Sequence, residues 1–407
     1  MASCPYCGTP LPVDSSGARV FCTRCGEAVP ERVLRTAATE VTSEPATETL
    51  PPSTPPAPPR NIYRTAGIVV GLMAVMAAVG LIFALNTVST RRAHDSRPGP
   101  VNAPPQPVLV AADELAALGY LPANTNLVVG LDLAAARHDP LGEQLLARLT
   151  GKDGQPAVID PVRWTGLDAD DIDHVVLGVS MTEKTTRLVL VLHTRRPYDP
   201  EKLRERLKAT RSVDSAGKKV YPFHPDKLAF GAPALWSPSD TMLVVGFTHF
   251  DLDAVPDRPA ANADALAAPV RQLLHNYVGV GSCAWVAGDG ELLGTLLPFA
   301  APTADLKVFA GVRTFGIWRK RAPYLDVRGS FQCRDADAAR LLEEKGGQLK
   351  PLIAPLLQRF QATPEGTKLA DALTESFTHD REGSVVGVSV YVDGSIVQQA
   401  LGPKAAP

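Results

Sequence analysis

Twenty consecutive residues, Ala66 to Leu85, read AGIVVGLMAVMAAVGLIFAL and carry no charge. At a rise of about 1.5 Å per residue, such a run forms a helix of roughly 30 Å, the thickness of a bilayer's hydrocarbon core. Proline-rich stretches at 51–59 and 98–107 flank it, which argues against a helix packed inside a soluble core. The run starts too far into the chain, and is too long, for the apolar part of a secretory signal. The expectation is one membrane-spanning helix within 63–88, closed by Arg64 on one side and by Arg91 and Arg92 on the other.

Four of the six cysteines lie in the first 25 residues, as Cys4-Pro-Tyr-Cys7-Gly and Cys22-Thr-Arg-Cys25-Gly. Two cysteines three apart can face one ion, and the glycine after each pair lets backbone N–H groups turn toward the sulfurs. Four thiolates close a tetrahedral site around Zn²⁺ and leave no position for a substrate, so the metal is expected to be structural. In so short a segment it would supply most of the folding energy. The module, residues 1–30, resembles the short zinc ribbons at the N-termini of bacterial single-pass membrane proteins. That resemblance covers only the ribbon and the helix, and it implies a docking or structural role. Arg19, Arg24, Arg32 and Arg35 are offset by Asp14, Glu27 and Glu31. No basic stripe with interleaved aromatics appears, so no nucleic-acid partner is expected.

Residues 31–62 and 89–107 read as linkers, being rich in Pro, Thr, Ser and Ala with few large apolar side chains. The arginines flanking the apolar run lean slightly toward placing the large domain inside the cell. The thiolate site favours a reducing compartment, and long domains cross regardless of flanking charge. The expectation is a ribbon in the cytoplasm and a C-terminal domain outside it. Gly67 and Gly71 form a small-xxx-small pair on which two such helices can dimerise.

From Val108 the composition turns globular. Strands are expected at Asn126–Asp132, His174–Ser180, Arg187–His193, Thr241–Phe247, Cys283–Ala287, Lys307–Arg313, Tyr324–Ser330 and Ser384–Tyr391. Helices are expected near 140–149, 200–209, 291–297, 337–346 and 350–361. Asp132 lines up with Asp289, and Thr194-Arg195 with Cys333-Arg334, so the order β-α-β-β-α-β occurs twice. The expected fold class is therefore α+β: two ferredoxin-like α/β sandwiches, 108–255 and 256–402, each a split βαβ unit. In that arrangement Cys283 and Cys333 lie on neighbouring strands. Either a disulfide or two buried thiols fits, since spacing does not fix pairing.

Catalytic patterns are scarce. None of the eight histidines has i, i+4 ligand spacing, and each reads as a surface or strand-end residue. Ser180 and Ser389 lack the second glycine of a nucleophile elbow. Gly288-Asp-Gly290 is mis-spaced for a phosphate loop, and Asp168, Asp170, Asp171 and Asp173 lack the glycine and glutamate of a calcium loop. The net charge of −2 points to no polyanionic partner. The chain is read as a non-enzymatic membrane protein with protein partners on one or both sides of the bilayer. A ligand sensor with Arg195 and Arg334 sharing a cleft, and an envelope enzyme, stand beside that reading.

Overall fold

The computed structural model describes residues 110–401, apart from 124, 140, 144–164, 166, 183–184, 224–232, 294–305, 321–323 and 346–363. The chain divides into two units, Met1–Arg60 and Asn61–Pro407, and every described residue belongs to the second.

Short runs of Val, Leu, Gly and Ala, bounded by polar turns, build one antiparallel sheet of 12 strands. In chain order these are β1 (Leu127–Asp132), β2 (Ile172–Met181), β3 (Thr186–Thr194), β4 (Val213–Ser215), β5 (Lys218–Pro222) and β6 (Ala234–Trp236). Then come β7 (Met242–Gly246), β8 (Ser282–Asp289), β9 (Val312–Lys320), β10 (Leu325–Cys333), β11 (Thr378–Glu382) and β12 (Val385–Val392). Across the sheet they run β11-β12-β10-β9-β8-β1-β2-β3-β7-β6-β5-β4. Seven α-helices are described: α1 (Leu133–Arg137), α2 (Pro200–Arg206), α3 (His249–Asp253), α4 (Ala268–Tyr277), α5 (Ala336–Glu344), α6 (Pro364–Glu375) and α7 (Gly394–Leu401).

This corrects the expected fold class. A ferredoxin-like unit inserts its strands out of order, whereas here β1, β2, β3 and β7 lie side by side as a meander, as do β8, β9, β10 and β12. The two halves share a single sheet rather than forming two sandwiches. They are related by a local two-fold axis at the β1–β8 seam. Asp132 and Asp289 hold equivalent strand ends: Asp132 accepts the Ala135 N–H at 2.7 Å, and Asp289 that of Glu291 at 3.0 Å. Counting back from these two residues makes Val129 equivalent to Val286, and these valines are paired with each other. Further out, Thr194 N–H donates to the Thr241 carbonyl, and Cys333 N–H to that of Ser384. Arg195 N–H likewise donates to Asp171, and Arg334 N–H to Gly311. An axis through an antiparallel pair stands perpendicular to the sheet, so equivalent residues lie on the same face.

The sheet carries apolar cover on both faces. On the upper face Leu118, Leu121, Val128, Val176, Val191, Val244, Leu273 and Trp285 form one cluster. Its cover comes from 3₁₀ turns at Ala112–Glu114 and Ala116–Tyr120, from Leu252 and Val255, and from α4. That helix buries Val270, Leu273 and Leu274, one stripe of its surface, against β8 and β9. On the lower face α5, α6 and α7 bury Leu342, Leu369, Leu373 and Val397 beneath the β10–β12 end, while Leu203 of α2 packs with Leu192 and Leu243 at the other end. Centrally placed β8 is buried on both faces along seven of its eight residues, which is why Cys283-Ala-Trp-Val-Ala reads as an unbroken apolar run.

Among the described residues, no helix is long and apolar enough to cross a membrane. That finding overturns the localisation read from the sequence. The stretch Ala66–Leu85, with its Gly67/Gly71 pair, lies outside the described residues. No zinc ribbon is present among the described elements, and Cys4, Cys7, Cys22 and Cys25 also lie outside them. Cys283 and Cys333 are both free and buried, because β9 stands between the strands that carry them.

Candidate functional site

Two clusters stand out. The first arises where β2 carries a bulge between Ile172 and His174. A bulge re-aims a side chain that regular alternation would send to the opposite face. Here it brings Asp173 beside His174 and beside His193, the cross-strand partner of His174. Asp173 Oδ2 lies 2.8 Å from His174 Nδ1 and 3.4 Å from His193 Nδ1, and the two imidazole centroids are 4.8 Å apart. Those hydrogen bonds, that from His174 foremost, hold the Asp173 carboxyl far below its ordinary range. By composition the group is a two-histidine, one-carboxylate set able to hold a metal ion.

The hydrogen bonding around it fits a different purpose. The Ala117 backbone N–H donates to His174 Nε2 at 3.3 Å, so Nε2 carries the lone pair and Nδ1 carries the proton offered to Asp173. A cation bound at Nδ1 would need the reverse tautomer, which would set the Nε2 proton against the Ala117 N–H. Metal-binding histidines normally donate their second nitrogen to an acceptor; here it faces a donor. The cluster therefore acts as a clasp that fixes the Ala116–Tyr120 turn onto the upper face.

The second cluster occupies the other end of that face. Alternation along β10 points Asp326, Arg328 and Ser330 upward, and along β12 it points Gly387, Ser389 and Tyr391 upward. Tyr391 is 54% exposed, whereas Asp326 and Ser330 are buried below it. They line an open cavity of about 630 Å³, walled on one side by Tyr277 at the end of α4. The cross-strand register makes its floor. Gly316 of β9 pairs with Ser330, Ser330 with Gly387, and Gly387 with Asp380 of β11. Two glycines thus flank Ser330 along this trough: the space over Gly316 is filled by Leu273 of α4, and Gly387 lines the cavity.

The glycine at 387 sets the position of a charge. A β-carbon there would stand 2.5 Å from Asp380 Oδ1, so the missing side chain is what lets that carboxylate fold inward over the sheet. Ser330 is only 2% exposed, and its hydroxyl has no hydrogen-bond partner among the described residues. The same holds for the indole N–H of Trp318, which also lines the cavity. Arg328 grips Asp326 through two bonds, Nε to Oδ1 at 3.0 Å and Nη2 to Oδ2 at 3.1 Å, and this pairing raises the guanidinium pKa. The one basic group of the trough is thus matched by one acid. Asp380 and Glu382 remain with no cation partner among the described residues. Tyr324 and Tyr391, with ring centroids 4.5 Å apart, form an aromatic wall beside them.

No protein-family model matches the chain, and no curated protein does. Solved structures do match. Crystal form I of TP0453 has a TM-score of 0.38 at 12% identity, over 73% of this chain and 100% of that one. Crystal form III of TP0453 has a TM-score of 0.38 at 11% identity, over 70% and 96%. Neither description names a ligand or an activity.

The residues singled out in the sequence fall in several places. Arg195 and Arg334 do not share a cleft: they follow β3 and β10, with four strands between those two. Asp289 caps the turn after β8, and Ser180 lies 3.4 Å from the Thr125 hydroxyl. Ser389 belongs to the trough and bonds the Thr378 hydroxyl at 2.7 Å. The sequence reading missed the meeting of His174 with His193 and missed the trough altogether. The first had a signal, since the two histidines stand equally far in sequence from the midpoint between β2 and β3. The second depends on register between strands distant in sequence, which no local pattern carries.

Proposed function

We propose that this chain is a non-enzymatic binding protein whose ligand seat is the open trough over β10, β12 and β11. We further propose that Cys4, Cys7, Cys22 and Cys25 hold a structural zinc and give the N-terminal segment a docking role toward a protein partner. The binding reading is carried by one observation: the buried Ser330 hydroxyl, without a partner among the described residues, lies at the bottom of the open cavity beside Gly387. A buried hydroxyl without a hydrogen bond costs about 1–3 kcal/mol, and a ligand that supplies the bond recovers that cost. Polar groups converging among aromatic walls are the usual make-up of a small-ligand site.

The test is a solution screen of the full chain against small ligands of contrasting charge, read by chemical-shift change. Ser330→Val and Tyr391→Ala serve as site controls. Ligands whose binding weakens in both variants support the seat. Ligands that bind with unchanged strength in both variants, or that perturb only the surroundings of Asp173, contradict it.

A further inference from the structure

Building on that reading, we infer that the trough takes an alkylammonium group, and that the Asp380 carboxylate, held over Gly387, is its charge partner. The first support is the electrostatic balance. Asp326 and Arg328 neutralise each other, which leaves Asp380 and Glu382 to set the sign of the site. The second is the aromatic wall. An ammonium beside a ring face gains about 0.5–2 kcal/mol, more as it loses water, and Tyr391 and Tyr324 stand within the same cavity. The Ser330 hydroxyl, buried and without a partner, can accept an N–H from the same group.

The third support comes from the other half of the sheet. The two-fold axis relates β10, β12 and β11 to β3, β7 and β6, upper face to upper face. On that face of the first half an alkylammonium is already in place. Lys218 is 5% exposed, its Nζ lies 5.5 Å from the centroid of the Trp236 ring on β6, and it pairs with Asp257 at 2.9 Å. The first half supplies its own cation, ring and carboxylate. The second half presents rings and carboxylates with no cation to match.

An alkylammonium reaches such a seat either as a free polyamine or as a lysine side chain of a peptide. Titration of the full chain with 1,5-diaminopentane and with a short oligolysine peptide, by calorimetry at low salt, separates the two. 1,5-Pentanediol is the neutral control and glutarate the anionic one. The diamine or the peptide is expected to bind and the diol and glutarate not to, with the tighter of the two cations naming the source. Asp380→Asn, and independently Gly387→Val, should each weaken cation binding by about tenfold or more, as loss of a charge-assisted contact does. Thermal melting checks that both variants fold, and Asp380→Asn alone suffices if Gly387→Val does not. Equal binding of diamine and diol, or full affinity in Asp380→Asn, overturns the ammonium assignment. If the diol or glutarate binds and Tyr391→Ala abolishes it, the ligand seat survives while the ammonium is ruled out. If none of the four probes binds, both readings fall.

Discussion

The indole of Trp285 lies over Gly130, its direct partner across the β1–β8 seam; a β-carbon on Gly130 would overlap the ring. The equivalent pair in the other half is Val128 with Ala287, so the seam matches a large side chain with a small one on both sides of the axis. Gly130→Ala should destabilise the fold by about 1–3 kcal/mol, the usual cost of overpacking a filled core. Chemical denaturation of the full chain measures it, and a variant as stable as the parent would contradict the packing described.

Asp139 and Arg319 form a buried ion pair, each almost fully enclosed, and Asp139 also accepts the Gly142 N–H at 2.8 Å. Removing one partner of such a pair strands the other charge. Asp139→Ala should therefore cost about 3–5 kcal/mol, whereas the double change Asp139→Leu with Arg319→Met should recover much of it. A double variant less stable than either single one would contradict this.

The carboxyls of Asp251, buried, and Asp173, partly exposed, respond to pH in opposite directions. Burial raises Asp251 to about 6, above the ordinary 3.8. The folded chain then holds that proton more tightly than the unfolded one, so the contribution of Asp251 to stability declines as pH rises from about 4 to 6. Asp251→Asn, which keeps an acceptor for the Thr248 N–H, should flatten that decline. Asp173 is held low by His174 and His193. Its contribution is complete above the ordinary carboxylate range and is lost as acid protonates it, so Asp173→Asn should remove part of the acid sensitivity. Melting temperatures between about pH 2 and 6, two units either side of the ordinary carboxylate value, report both slopes.

Cys283 receives a hydrogen bond from Arg319 Nη1 at 2.7 Å, yet burial dominates and pushes its thiol pKa up. Burial likewise pushes Cys333 up to about 11. Thiolates, not thiols, react with alkylating agents. Neither cysteine should be modified by iodoacetamide in the folded chain at neutral pH, and both should react once denaturant is added. Mass spectrometry of peptides spanning each residue decides it.

If Cys4, Cys7, Cys22 and Cys25 bind zinc, elemental analysis should find about one ion per chain, the stoichiometry of a single four-thiolate site. A strong chelator should remove it without shifting the main unfolding transition of the sheet. A chain purified without any zinc under reducing conditions, and unable to take it up, would contradict the assignment.

Much of the sheet was legible from sequence. Ile172–Met181 and Thr186–Thr194 are built of alternating or unbroken apolar residues, and both emerge within two residues of the expected positions. Asp199 with Pro200 marked the start of α2, and the Asp199 side chain does accept the Glu201 and Lys202 N–H groups. The segment at 307–313 was misread. Lys307-Val-Phe-Ala-Gly is a 3₁₀ turn, and the strand begins at Val312; a short apolar run does not distinguish the two by period alone. Thr378–Glu382 was missed because an edge strand dense in charge is a defence against unwanted pairing and carries no apolar signature. The meander order escaped too, since the choice between adjacent and interleaved strands lies in long-range register rather than in any one segment. The trough was hidden for the same reason: Ser330, Gly387 and Asp380 meet only once β10, β12 and β11 are placed side by side.

The local symmetry at Val129 and Val286 has a consequence for how such a chain can change over time. A substitution at the seam is felt by both halves at once and so is tightly constrained. A substitution at either tip is felt by one half only. The extremities are therefore free to drift apart in chemistry while the middle holds still: one end sets Lys218 against Trp236 and Asp257, the other sets Asp380 and Glu382 beside Tyr324 and Tyr391.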